Sequence, residues 1–191
     1  MEIQMNKNTN PVNKITIITP SYRVHNLKYL KESIDLNYVD EWIIVYDGSK
    51  ITETPNLFTD SKIKEYVFKG EGISGNPQRN FALTKVTNPN TMLYYLDDDN
   101  VMHPSIYPLL KIIDNTKLYT FNQENRIKGD VVEVGRIDTA MCLIPYALCK
   151  DVQWIPQLYA ADGYYIKECY QKIKEHHIYI DKDLCYYNKI N

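Results

Sequence analysis

At 191 residues the chain has the length of one domain, and nothing in it reads as a low-complexity linker or an internal repeat. A formal charge of -2 and an isoelectric point near 6.1 give no support for a protein that neutralises a nucleic-acid backbone, so no nucleic-acid partner is expected. Met1 to Asn13 is polar and lacks the apolar core of a signal peptide, and no run approaches the ~20 apolar residues of a membrane span, so a cytoplasmic protein is expected. Cys142, Cys149, Cys169 and Cys185 form no C-x-x-C pair and stand apart from any His at ligand spacing, so they read as small buried hydrophobes of a reduced protein.

In chain order the punctuation is that of alternating strands and helices. The β-branched run Lys14 to Thr19 predicts a strand stopped by Pro20. Leu27, Leu30, Ser33 and Ile34 recur at helical spacing and predict a helix over Leu27 to Leu36, after which Trp42 to Tyr46 predicts a second buried strand ended by Asp47-Gly48-Ser49. Strand, helix, strand implies a right-handed crossover in a parallel sheet. A weaker strand near Glu65 to Phe68 leads through Gly70 to Asn76 into a helix over Gln78 to Leu83, with Pro77 in its first turn. Met92 to Leu96 predicts a fourth strand, and Pro104 opens a short helix with Ile106, Leu109, Leu110 and Ile113 on one face. Beyond it, Leu118 to Phe121, Val131 to Val134 and Met141 to Ile144 read as strands. One helix follows from about Gly163 to Lys174, with two short strands near Tyr179 and Tyr186. The expected architecture is a single α/β domain over 1–191, Rossmann-like. Its central sheet is mostly parallel and flanked by helices, with a nucleotide-binding half (14–100) and a smaller antiparallel acceptor-side half (101–191).

The most informative stretch is Leu93-Tyr94-Tyr95-Leu96 followed by Asp97-Asp98-Asp99-Asn100, an apolar strand that delivers three carboxylates to its carboxyl end. In open α/β sheets the ligand crevice lies just beyond those ends, and three adjacent like charges are relieved by a divalent cation with hard oxygen ligands. Mg²⁺ or Mn²⁺ shared with a phosphate is the expected cofactor. Asp and Asn after a strand are also ordinary turn chemistry. Alternation along an extended chain sets Asp97 and Asp99 on one side and Asp98 on the other. Arg79, at a helix start beside a glycine-containing loop, has the chemistry of a phosphate donor, its alternative being a surface salt bridge. The turn Thr19, Pro20, Ser21, Tyr22 and Arg23 offers N–H groups and hydroxyls for a base and ribose, although Ser21 also suits a helix cap. Asp47 could accept from a base or simply close its Asp-Gly turn.

The ordered set of Ile18 to Arg23, Val45 to Ser49, Pro77 to Leu83, Asp97 to Asn100 and Ala161-Asp162-Gly163 resembles the glycosyltransferases of the GT-A fold. The Gln78-Arg79-Asn80 and Asp97 to Asn100 pair is most similar to β-1,3-glucuronyltransferases, and the first strand with Asp47-Gly48-Ser49 to family 2 glycosyltransferases. The resemblance implies a metal-dependent inverting enzyme that moves a sugar from a nucleoside-diphosphate donor, UDP- or GDP-linked, to a glycan or other hydroxyl acceptor. It assigns the metal chiefly to Asp99 with Asp97, donor contacts to Thr19 to Arg23, Asp47, Arg79, Asp97 and Asp98, and the catalytic base to Asp162. Asp138 is the runner-up base, and Asp162 would equally suit an N-cap. Where many such enzymes carry a C-terminal His metal ligand, this chain has Tyr187 or Asn188. The competing classes are a nucleotidyltransferase, disfavoured because Pro20 to Arg23 lacks the expected glycine, and a non-catalytic nucleotide- or carbohydrate-binding module.

Overall fold

A computed structural model describes residues 14–190; the polar segment Met1 to Asn13 on which the absence of a signal peptide was judged lies outside them. The chain forms an α/β fold around one seven-stranded sheet, flanked by helices, in the order β3-β2-β1-β4-β6-β5-β7. β1 (Ile15–Ser21), β2 (Val39–Asp47) and β4 (Met92–Tyr95) are wholly or almost wholly buried. Their β-branched and aromatic runs, Ile15 to Thr19, Trp42 to Tyr46 and Met92 to Tyr95, suit strands with both faces covered. β3 (Ile63–Phe68) forms one edge and β7 (His177–Cys185) the other, with β5 (Leu118–Gln123) and β6 (Cys142–Pro145) inside.

The pairs β1/β2, β1/β4, β2/β3 and β5/β7 are parallel, whereas β6 is antiparallel to both β4 and β5. Only β6 therefore runs against the rest. The expected antiparallel half is one reversed strand within a continuous mixed sheet. Chain order and sheet order together create a switch point. From β1 the chain moves through α1 (Leu27–Ser33) to β2 and β3, then returns through α2 (Asn76–Leu83) to β4 on the opposite side of β1. Loops leaving β1 and β4 in opposite directions open a crevice between them at the carboxyl edge.

Several local expectations are corrected. Pro20 does not stop β1, because the strand continues to Ser21 with Pro20 opposite Val45. The β4 partnership ends at Ile18 opposite Tyr95, so a residue without an N–H is tolerated past that point. The first helix ends at Ser33 rather than Leu36; Ile34 is already extended, and a separate turn of 3₁₀ helix covers Leu36–Tyr38. Val131 to Val134 is not a strand but part of a turn-rich loop. β5, the strand that precedes the segment, already has β6 on one side and β7 on the other, leaving it no free flank for a hairpin partner. The two strands expected near Tyr179 and Tyr186 are one irregular strand, β7, whose register slips against β5 around Asn122. Between β6 and the last helix runs an unanticipated short helix, α4 (Tyr146–Cys149), and α3 is confined to Ile106–Leu110.

α5 (Ala161–Ile173) carries Asp162 in its first turn. Its start is seated by a close approach, since a Cβ on Gly163 would lie 2.9 Å from the Cα of Val134. The four cysteines are buried and free of disulfides, and among the described residues no helix is long and apolar enough to cross a membrane.

A candidate ligand cleft at the carboxyl edge of the sheet

A cavity of about 540 Å³ opens at the carboxyl edge. Its walls come from the β1 turn (Pro20 to Arg23), the β2 end (Asp47), the loop into α2 with Arg79, the acids after β4, the loop after β5 (Arg126, Ile127), the Ile137 to Thr139 segment, the α5 start and the C-terminal Tyr187-Asn188. Segments as distant in sequence as Pro20 and Asn188 thus meet because six parallel strands all point their carboxyl ends one way. Six aspartates and three arginines line the cleft, so with all of them ionised its wall is net negative.

Alternation along the acid run holds. Asp97 and Asp99 are partly open, with side-chain exposures of 36% and 22%, while Asp98 is at 4%. The inward acid is a structural latch. Its Oδ2 accepts from the hydroxyl of Ser21 at 3.0 Å and from the backbone N–H groups of Tyr22 and Arg23 at 2.9 and 2.8 Å. Oδ1 takes the guanidinium of Arg23 at 2.5 Å, and the side-chain amide of Asn26 donates to the Asp98 carbonyl. Asp98 therefore ties the turn after β1 to the turn after β4, across the switch point. Its lone pairs serve the scaffold, whereas the sequence suggested a donor contact.

Arg23 also reaches Asp99 at 3.0 Å. Burial, and secondly the facing Asp97, push the Asp99 carboxyl above its usual range, with Arg23 opposing the shift. Such an environment favours a proton or a cation at Asp99. Asp97 is held by Arg79 at 2.5 Å. Arg79 is itself buried: its Nη1 donates to the Ser74 carbonyl at 2.6 Å and weakly to Asn76, and its guanidinium lies 4.5 Å over the Trp154 ring. Trp154 in turn stacks on Tyr165, whose hydroxyl meets that of Tyr95 at 2.8 Å. Arg79 is thus a wall residue that orients Asp97, not the solvated-face salt bridge. Gly75 makes room for it at the helix start: its φ is +75°, and a Cβ there would approach Pro20 to 2.7 Å.

Arginine occupies one oxygen of Asp97 and one of Asp99, leaving each carboxylate a second oxygen to offer a cation. No group of three His, Cys, Asp or Glu side chains suited to a metal occurs among the described residues, because Asp98 faces inward. A divalent ion here would rest on two hard oxygen donors and complete its shell with water or ligand oxygens. Mg²⁺ and Mn²⁺ accept that arrangement.

Asp162, which lines the same cleft, is not the N-cap of α5; Ala160 occupies that position and makes no side-chain cap. The carboxyl of Asp162 is pushed up chiefly by burial and further by Asp138 and Asp97, against a lowering contact from the Gly163 N–H and from Arg79. Asp138 is more tightly committed. It accepts from Arg126 at 2.6 Å, from Gln123 at 3.2 Å and from the Thr139 N–H at 2.7 Å. Asp47 closes its own turn, accepting from the N–H and hydroxyl of Ser49 at 3.0 and 2.7 Å, while still lining the cleft.

Of the residues assigned a catalytic, donor or metal role from the sequence, Thr19 alone lies off the cleft: it is fully buried and its hydroxyl accepts from the Trp42 indole at 2.9 Å. The structure adds Arg126, stacked 3.5 Å over the ring of Tyr187, and the exposed Tyr159. Arg126 follows the carboxyl end of β5, a position that the strand-end rule would have flagged; Tyr159 carries no such signal. His103, which follows the acid run closely in sequence, is buried beside Tyr186, and burial lowers its pKa. No protein-family model and no curated protein matches the chain.

Proposed function

We propose that the protein is a metal-dependent inverting glycosyltransferase of GT-A type, transferring a sugar from a nucleoside-diphosphate donor to a hydroxyl acceptor. The observation that carries this reading is the pair of partly open carboxylates, Asp97 and Asp99, lining one cleft at the switch point together with the partly buried Asp162. A net-negative cleft repels a diphosphate unless a cation comes with it. Bound on Asp97 and Asp99, Mg²⁺ or Mn²⁺ supplies Lewis-acid assistance to the leaving diphosphate.

This chain's own groups would then act as follows. Asp162 takes the proton of the attacking acceptor hydroxyl, and its raised pKa brings it closer to the range in which a carboxylate is an effective general base. Arg79 and Arg23 hold the two metal-facing acids in place. The β1 turn, kept rigid by Asp98, offers Tyr22 and Arg23 to the nucleoside. Asp138 is fixed by Arg126 and Gln123, which suits it better to binding sugar hydroxyls than to moving a proton.

A melting-temperature screen of UDP, GDP and their sugars, each with and without Mn²⁺, tests the reading. A ligand at 100 times its Kd adds about 2.7 kcal/mol of apparent stability. The expected result is stabilisation by one nucleotide class only when Mn²⁺ is present, followed by Mn²⁺-dependent donor turnover. Failure of every nucleotide to stabilise the protein in either condition refutes it.

A further inference from the structure

Tyr159 stands three residues before Asp162 on the cleft wall and leaves 85% of its surface open. Its loop is nevertheless firmly anchored. Asn76 Nδ2 donates to the carbonyls of Ile155 and Leu158 at 3.2 and 2.9 Å, and the Ile73 N–H donates to the Pro156 carbonyl at 2.9 Å. Asn80 exchanges two hydrogen bonds of 2.8 Å with the backbone of Trp154. The neighbouring Leu158 packs against the core. The backbone before Tyr159 is therefore held from three points while the ring itself contributes almost no burial. Ile73 and Ile155, at 41% and 45% exposure, lie on the same two fastened loops.

A held backbone that presents an unpacked aromatic ring to a cleft has the form of a recognition element rather than a packing one. The ring lines the same cleft as Asp162 and stands three residues before it in the chain. We infer that Tyr159 is the acceptor platform: a pyranose stacks the apolar C–H face of its ring on the phenol and so presents a hydroxyl to Asp162. The inference rests on the transferase reading and assigns the acceptor to the saccharides rather than to simple alcohols or peptide hydroxyls. A pyranose suits an open site because its edge hydroxyls stay in water while only its C–H face is covered.

The test is saturation-transfer NMR with methyl β-D-glucopyranoside, methyl β-D-galactopyranoside and glycerol on the parent, Tyr159→Ala and Tyr159→Phe proteins. Transfer to the ring C–H protons of at least one glycoside is expected in the parent and in Tyr159→Phe, with affinity about tenfold weaker in Tyr159→Ala. Glycerol should give none, and the three melting temperatures should coincide. Equal glycoside affinity in Tyr159→Ala, no transfer to either glycoside in the parent, or a lowered melting temperature in Tyr159→Ala overturns the platform. UDP and GDP stabilisation with Mn²⁺, measured on the same preparations, keeps the two ideas apart. Nucleotide binding with unchanged glycoside affinity sinks only the platform, whereas glycoside loss in Tyr159→Ala without nucleotide binding sinks only the transferase.

Discussion

Removing the carboxylate of Asp98 separates its latch role from the ligand role suggested by its place in an acid triplet. In Asp98→Ala the Ser21 hydroxyl, which is 2% exposed as a residue, and the N–H groups of Tyr22 and Arg23 lose their acceptor. An unsatisfied buried donor costs about 1–3 kcal/mol. Tyr22 and Arg23 stand at the cleft surface, where water can replace part of the loss, and Arg23 keeps Asp99 as a partner. The total is therefore about 3 kcal/mol rather than the sum of three full penalties. For a chain of this size, where 1 kcal/mol shifts the melting temperature by ~2–4 °C, the midpoint should fall by about 6–12 °C. Calorimetry or dye-monitored melting, without nucleotide or metal, reads this directly. Asp151→Ala, whose side chain is 69% exposed in a surface pair with Lys172, is the control and should move the midpoint far less. A midpoint for Asp98→Ala within about 2 °C of the parent would refute the latch, and loss of nucleotide affinity at unchanged stability would return Asp98 to the ligand.

Asp162→Asn should lower transfer by roughly two or more orders of magnitude while nucleotide affinity survives, because the base acts on the acceptor side; near-normal transfer would transfer the role to Asp138 and its own Asn variant. The same substitution has a stability signature. Since burial raises the folded-state pKa of Asp162 above 3.8, the folded protein binds more protons than the unfolded chain just above that pH, and stability declines as pH rises through the window. Measured from pH 3.5 to 8, the stability of the parent relative to Asp162→Asn should fall as pH rises, with the variant at least as stable at pH 7; a less stable variant at pH 7 contradicts the sign. Finally, Asp99→Asn should abolish the Mn²⁺-dependent part of nucleotide stabilisation without unfolding the protein, and an unchanged Mn²⁺ response measured by the same melting assay would remove Asp99 from the metal site.

What local sequence determines here is the set of elements and the chemistry delivered to their ends. β1, β2 and β4 each carry a run of β-branched or aromatic residues, so they read as buried strands, and each is followed closely by turn-forming polar residues at its carboxyl end. Ser21 to Arg23, Asp47 and the triple acid were legible for that reason, Arg79 from its place at a helix start, and alternation alone separated Asp98 from its neighbours. The tertiary structure decided everything that depends on a partner distant in sequence. Thr19 faces a crevice on paper but finds the Trp42 indole one strand over. Val131 to Val134 has strand propensity, yet both flanks of β5 are taken by strands that arrive later in the chain. Asp98 became a latch because the β1 turn brought three donors to it from more than 70 residues away. The meeting of Asp162 and Asp97 in one cleft, the Arg126 clasp on Asp138 and the anchored exposure of Tyr159 likewise follow from strand order, which single-sequence periodicity does not encode.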